Sequence, residues 1–187
     1  MIKLILGGAR SGKSSFAENI AKTNHKNVCY IATATAGDNE MADRIAHHQS
    51  TRPKHWDLME EPFYLSQSMR NLENFRGTVL IDCVTLWLSN WICLVDQEPN
   101  KLNDWQDERQ NFLDALVTSR SKVIIVSNEV GSGIVPMGEL TRQFADNAGW
   151  LNQNLAEIAD QVTLVVAGLP LLLKENNHHV QGGEQKC

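Results

Sequence analysis

Apolar residues along the chain fall into short unbroken runs that alternate with stretches of helical period. Ile2, Leu4, Ile5 and Leu6 make a run of strand length, and Phe16, Ala17, Ile20 and Ala21 then recur at helical spacing. Residues 28–32, 78–82, 122–127 and 162–166 are further apolar runs of strand length, and Trp56, Leu58 and Glu60 alternate with Asp57 and Met59 as a short strand ending in Glu60. Helices are predicted over 38–50, 63–72, 84–95, 105–119 and 139–160. The first opens on Asp38 as N-cap with Glu40 in its first turn, and Thr51-Arg52-Pro53 ends it. In the last, Leu140, Phe144, Ala148, Leu151, Leu155 and Ile158 line one face. Residues 169–173 return as an antiparallel edge after a Gly168-Leu169-Pro170 turn. Helix 84–95 is apolar round most of its circumference, with Leu86, Trp87, Leu88, Trp91, Ile92 and Leu94. It is therefore buried on more than one side, against its own core or against a second subunit. Strands alternating with helices predict an α/β three-layer sandwich with a mostly parallel sheet and one antiparallel edge strand. Residues 1–175 form a single domain, and the polar stretch 176–187 reads as a disordered tail.

Between the first strand and the first helix lies Gly7-Gly8-Ala9-Arg10-Ser11-Gly12-Lys13-Ser14, which fits G-x-x-x-x-G-K-[ST] at every fixed position. Strand, glycine loop and helix in that order are the context of a phosphate-binding P-loop. Glycines let backbone N–H groups curl round phosphate oxygens, and the helix N-terminus adds partial positive charge. Lys13 reaches the β- and γ-phosphates, and the Ser14 hydroxyl is a ligand for Mg²⁺. The run 78–82 ends in Asp82, which has the form of a Walker B carboxylate that holds Mg²⁺ directly or through water; the other role open to it is capping the next helix. The fold class that follows is a RecA-like P-loop NTPase sandwich.

Composition narrows the partners. The 187 residues carry a net charge of −5 and are 42% hydrophobic, which gives no general attraction to nucleic acid or to an anionic membrane. The longest apolar stretch, 162–173, is interrupted by Thr163, Gly168 and Pro170 and is too short to span a bilayer. Cys29, Cys83, Cys93 and Cys187 contain no C-x-x-C, so reduced thiols in a cytoplasmic protein are expected. A GTPase switch is disfavoured because no N-K-x-D and no D-x-x-G after Asp82 is found. A nucleic-acid motor is disfavoured because no basic stripe is present. A kinase of some other small molecule stays open.

In the predicted helix 38–50, Met41, Ile45 and His48 fall at i, i+4 and i+7, so His48 shares the apolar face, while His47 is turned about 100° away. A histidine there is either a satisfied core residue or a nucleophile toward phosphorus, since neutral imidazole is competent for that attack. Arg44 and Arg52, one turn either side, would offset phosphate charge or be surface cations.

The segments GGARSGKS, YIATATAGDNEMADRIAHHQSTRPKHW and NEVGSGIVP, in this order and spacing, resemble the bifunctional adenosylcobinamide kinase/adenosylcobinamide-phosphate guanylyltransferases of cobalamin nucleotide-loop assembly. The likeness covers roughly 1–174, and the E-M-A-x-R-I-x-H-H segment with R-P-x-H-W is far more specific than the P-loop. The resemblance implies that Gly7, Gly8, Ala9, Arg10, Ser11, Gly12, Lys13 and Ser14 hold nucleotide phosphates and that His48 is the guanylylated residue. It further implies nucleotide contacts from Ala32, Thr33 and Ala34 and from Gln49, Ser50, Thr51 and Arg52, with Glu60 and Asp82 completing the site. Implied with them are GTP, ATP and Mg²⁺, adenosylcobinamide and its phosphate as substrates, and a homotrimer in which the helix of Trp87 and Trp91 finds a partner. The chain departs from the pattern at Asp82, where this family commonly carries glutamate.

Overall fold

The N-terminal apolar run becomes an inner strand of a parallel sheet because its neighbours on both sides are equally apolar. The computed structural model describes residues 1–24, 27–35, 53–133, 137–175 and 178–179. In chain order its elements are β1 (Ile2–Gly7), α1 (Lys13–Asn24), β2 (Val28–Ala32), β3 (Asp57–Glu60), α2 (Leu65–Asn71), β4 (Thr78–Asp82), α3 (Val84–Gln97), α4 (Leu102–Thr118), β5 (Lys122–Asn128), α5 (Glu139–Ile158), β6 (Gln161–Val166), β7 (Leu169–Glu175) and β8 (His178–His179). The sheet order is β3-β2-β4-β5-β1-β6-β7-β8. The pairs from β3 to β6 are parallel, and β7 and β8 join antiparallel at the edge. The predicted helix at 38–50 lies outside the described residues. Of the tail, His178 and His179 are described, and they pair with Lys174 and Glu175 as a two-residue strand.

Two apolar layers sandwich the sheet. One gathers Leu4, Ile31, Val79, Ile81, Val123 and Ile125 under α2, α3, α4 and α5. The other gathers Ile5, Tyr30, Leu80, Ile124 and Val126 with Ala17 and Ala21 of α1. Adjacent strand residues thus face opposite layers, as the pleat requires.

Some expectations change in detail. Trp87, Leu88 and Trp91 of α3 have no exposed surface, and both indole N–H groups donate to the Phe63 carbonyl oxygen, at 2.6 and 2.9 Å. The chain's own core buries this face, so these tryptophans offer nothing to a second subunit. On α5 the apolar stripe is buried at Ala148, Leu151 and Leu155, while Leu140 is exposed. On β3, Met59 packs on the core and Leu58 faces solvent. The edge hairpin turns at Ala167 and Gly168, both at positive φ, and Pro170 lies within β7 opposite Val165 rather than in the turn. An edge strand tolerates that proline, which has no N–H to donate.

Candidate active site

The phosphate loop is held by what lies under it. Gly7 ends β1, and a Cβ there would stand 2.7 Å from the Val165 carbonyl oxygen of β6; no side chain fits. Gly12 has φ of 91°, which an L residue rarely adopts, and its α-carbon side faces Gly168 so closely that a Cβ would meet the Gly168 Cα at 3.2 Å. The Gly168 N–H donates to the Ser11 carbonyl oxygen at 2.8 Å, and the Glu129 N–H donates to the Gly7 carbonyl oxygen at 3.1 Å. The β6–β7 turn and the end of β5 therefore clamp the loop from both sides. α1 starts at Lys13, and the Phe16 N–H closes its first turn on the Gly12 carbonyl at 2.9 Å. Lys13 Nζ donates to the Gly8 carbonyl oxygen at 3.2 Å, which places the ammonium over the loop it serves. Gly8, Ala9 and Arg10 are exposed, Ser14 is half-buried, and Ser11 is buried with its Oγ lacking a hydrogen-bond partner among the described residues. A buried donor without an acceptor at the lip of an anion cradle fits a phosphate oxygen.

Asp82 ends β4, two strands from β1 and so roughly 10 Å away along the sheet. Tyr30 donates its phenolic O–H to Asp82 Oδ2 at 3.0 Å and lies stacked at 6.5 Å on Trp56. One carboxylate oxygen is thereby oriented from beneath. Among the described residues no three His, Cys, Asp or Glu side chains gather as a metal cage. One hydroxyl (Ser14) and one carboxylate (Asp82), with phosphate oxygens completing the shell, suit Mg²⁺, which keeps several waters and rarely takes an all-protein site. Cys83 beside Asp82 is pushed up to about 11 by burial and then by the Asp82 charge, and burial raises Cys29 to about 11. Both stay neutral thiols, and neither is an available nucleophile.

The other sequence-predicted residues fall differently. Thr33 is buried and its Oγ1 is committed twice across the strand ends, donating to the Cys83 carbonyl at 2.7 Å and accepting from the Cys83 N–H at 3.0 Å. Ala32 and Ala34 flank it, half-buried. Glu60 is exposed at the end of β3, four strands and roughly 19 Å from β1. That span keeps the Glu60 carboxylate away from the loop that holds Lys13. His48, Gln49, Ser50, Thr51 and Arg52 lie outside the described residues. Sequence reasoning missed Tyr30 and also Asn90. The Asn90 amide donates to the Thr33 and Pro62 carbonyls at 2.9 and 3.0 Å, tying together the chain that leaves β2 and the chain that leaves β3. No periodicity singles out either residue. A cavity of about 640 Å³ lies elsewhere, among α3, α4 and α5, lined by Trp105, Arg109, Gln143 and Trp150. It holds none of the predicted site residues.

Comparison with known proteins adds the family. A family profile described as "Cobinamide kinase / cobinamide phosphate guanyltransferase" matches residues 3–173. The chain is 48% identical over 174 residues to the Pseudomonas aeruginosa "Bifunctional adenosylcobalamin biosynthesis protein CobP", covering 93% of this chain and 98% of that one. It is 40% identical over 183 residues to the Escherichia coli "Bifunctional adenosylcobalamin biosynthesis protein CobU", covering 93% of this chain and all of that one (100%). Among solved structures, a type III secretion system ATPase of pathogenic bacteria superposes with a TM-score of 0.57 at 10% identity, over 91% of this chain and 56% of that one. A Pyrococcus horikoshii protein, PH0250, superposes with a TM-score of 0.51 at 8% identity, over 93% of this chain and 86% of that one. These two likenesses speak to the fold alone, and the fold is that of the P-loop ATPases. With the phosphate loop of residues 7–14 at the strand ends and the match running over residues 3–173, the chain belongs to the cobinamide kinase / cobinamide phosphate guanyltransferase family.

Proposed function

We propose that this protein phosphorylates the aminopropanol hydroxyl of adenosylcobinamide with ATP or GTP and then transfers GMP from GTP to the product, giving adenosylcobinamide-GDP. The observation that carries this reading is the phosphate cradle of residues 7–14, fixed on both sides, with Asp82 two strands away at the same end of the sheet, in a chain of this family. In the first step the alcohol oxygen bonds to the γ-phosphorus as the bridging bond to the β-phosphate breaks. The loop amides and Lys13 hold the phosphates in line and offset their charge. Ser14 and Asp82 would hold Mg²⁺, which when bound neutralises charge on the phosphate oxygens.

In the second step a His48 imidazole nitrogen bonds to the α-phosphorus of GTP and pyrophosphate leaves with the bridging electron pair. A phosphate oxygen of adenosylcobinamide phosphate then attacks that phosphorus and the P–N bond breaks. Imidazole suits both halves, being nucleophilic when neutral and a good leaving group once protonated. A homotrimer accords with the exposed apolar side chains of the sheet edge, Leu169, Leu171 and Leu173, and not with Trp87 and Trp91.

The test uses the full chain with GTP labelled at the α-phosphate, adenosylcobinamide and Mg²⁺, followed by mass analysis of protein and corrinoid. The wild type is expected to carry covalent GMP that survives alkali and is lost in acid, as a phosphoramidate does. His48→Ala is expected to carry none and to accumulate adenosylcobinamide phosphate. Label retained by His48→Ala would rule out this nucleophile, and a wild type that is never labelled would leave a plain kinase.

A further inference from the structure

β5 lies between the strand that delivers the phosphate loop and the strand that delivers Asp82, and its last residue is Asn128. Ile124 and Val126 pack in the layer under α1, whereas Val123 and Ile125 pack in the opposite layer. Alternation along the strand carries Asn128 to the α1 face after Val126. Leu80 belongs to that face too, so Asp82 follows it there, where Tyr30 meets it. Asn128 is in register with Gly7, the residue at which the phosphate loop begins. The carboxamide therefore stands on the same sheet face as Asp82, at the level of the loop.

Its backbone is pinned from the other side. The Asn128 N–H donates to Thr85 Oγ1 at 2.6 Å, and its carbonyl accepts from Asn152 Nδ2 at 3.1 Å. The Thr85 and Ser127 hydroxyls are 3.2 Å apart, and Ser127 Oγ donates to Asn152 Oδ1 at 2.6 Å. α3 and α5 thus both fix the strand tip. The side chain receives no such support. Oδ1 is shut away from solvent and has no hydrogen-bond partner among the described residues. A carboxamide oxygen can only accept, so the group that satisfies it is a donor. Phosphate oxygens of a nucleotide are acceptors and leave it unmet; an alcohol O–H meets it. The other arm of the same planar group carries an N–H pair suited to a phosphoryl oxygen.

We propose that Asn128 contacts both reactants of phosphoryl transfer, Oδ1 accepting the O–H of the acceptor alcohol and Nδ2 donating to a γ-phosphoryl oxygen. This assignment rests on the kinase reading above. Held this way, the alcohol presents a lone pair in line with the γ-phosphorus. The new O–P bond forms as the bond to the β-phosphate breaks, the nucleoside diphosphate leaves with that electron pair, and the hydroxyl proton passes to a phosphoryl oxygen and on to solvent. The amide is not basic and takes no proton. Its contribution is alignment, which accelerates reaction by removing misdirected encounters.

The experiment compares the wild-type full chain with Asn128→Ala and Asn128→Ser in four measurements. These are the Kd of a fluorescent ATP analogue, phosphoryl transfer to adenosylcobinamide, phosphate release to water, and guanylyl transfer to supplied adenosylcobinamide phosphate. For Asn128→Ala, transfer to the alcohol is expected to fall roughly 100-fold, as on loss of other preorganised polar groups, with nucleotide Kd changed less than about threefold. Release to water falls far less, so the ratio of transfer to hydrolysis drops at least roughly tenfold. Guanylyl transfer uses no alcohol and loses only the contact to the γ-phosphoryl, so it falls far less than transfer to the alcohol. The unfolding midpoint stays at or above that of the wild type, because the free protein loses no hydrogen bond. Asn128→Ser gives the same pattern and serves if the alanine variant does not fold.

Transfer and hydrolysis falling together, or transfer unchanged, would overturn the proposal. So would a change confined to the Mg²⁺ concentration at half-maximal rate, which would assign Oδ1 to metal-bound water. A wild type that binds nucleotide but phosphorylates no corrinoid alcohol would instead overturn the kinase reading from which the proposal starts.

Discussion

The phosphate end of the sheet and the tryptophan cluster beneath α3 bury polar atoms in opposite ways. In the cluster Trp87 and Trp91 share the Phe63 carbonyl, and Trp87 packs edge-on against Trp105 and Phe112 with centroids 5.0 and 5.1 Å apart. Close by, the buried carboxylate of Glu108 accepts from the Ser66 N–H at 2.8 Å and the Ser66 O–H at 2.6 Å. Each of these polar groups has its partner. At the phosphate end Ser11 Oγ and Asn128 Oδ1 have none among the described residues, and the loop that carries Ser11 holds Arg10 and Gly12 at positive φ. An unmet buried polar atom costs about 1–3 kcal/mol. A region that keeps two of them spends stability on being ready for a ligand, while the cluster supplies stability and is not called on for chemistry. Among the described residues Thr78 Oγ1 is a third such atom, at the opposite end of β4 from Asp82.

The sharpest break between the regions is Lys13→Ala. Its Nζ makes one exposed bond to the loop, so stability should move by less than about 0.5 kcal/mol. Under the proposed reading one cradle serves both transfer reactions, so both should fall by roughly a thousandfold or more, the lost charge being needed by the γ-phosphoryl in one and by the departing pyrophosphate in the other. Urea unfolding and steady-state rates on one preparation measure this; a fall in the kinase reaction alone would separate the two sites.

Trp91→Ala is the mirror image. Truncating a fully buried tryptophan should cost about 3–5 kcal/mol, leaving the rate per folded molecule unchanged at a temperature where the variant is still native.

Glu108→Ala should cost about 1–3 kcal/mol by stranding both Ser66 donors. Burial raises the Glu108 carboxyl above its ordinary value, and the Ser66 hydrogen bonds only partly offset this. The folded protein then holds this proton to higher pH than the unfolded chain does. The associated stability is complete below the unfolded pKa and is lost as pH rises through the folded one. Glu108→Gln should remove that slope, read as the urea midpoint followed upward from the ordinary carboxylate range.

Ser11→Ala is the smallest effect and the most telling in sign. Deleting an unpartnered buried hydroxyl should leave the free protein as stable or up to about 1 kcal/mol more so, while nucleotide affinity falls roughly two- to tenfold. A loss of stability would mean that the hydroxyl has a role within the fold.

Local order was legible in the sequence because it depends on local causes. The apolar runs 2–6, 78–82 and 122–127 became β1, β4 and β5 nearly residue for residue, since strand formation follows from unbroken apolar runs between breakers. The G-x-x-x-x-G-K-[ST] match located the loop because each fixed residue answers a geometric demand that the fold then displays, positive φ at Gly12 and a crowded Gly7 among them. Asp82 was visible as a carboxylate ending such a run. Asn128 and Tyr30 stood in the segments NEVGSGIVP and YIATATAG without being marked as site residues, and Asn90 was not visible at all.

What the chain determined alone is therefore the succession of the described elements, the phosphate loop and the family. The tertiary structure decided matters of neighbourhood. Helix 84–95 was as consistent with an interface as with a core until Phe63, Trp105 and Phe112 closed over Trp87 and Trp91. The Thr33 hydroxyl spans the strand ends to the Cys83 backbone, a link that exists only because β2 and β4 pair. Strand order placed Glu60 at the far edge and set β5, with Asn128, between the loop and Asp82. Periodicity records which way a residue faces along its own element; which elements lie beside it is fixed by pairing between segments distant in sequence, and no local pattern carries that information.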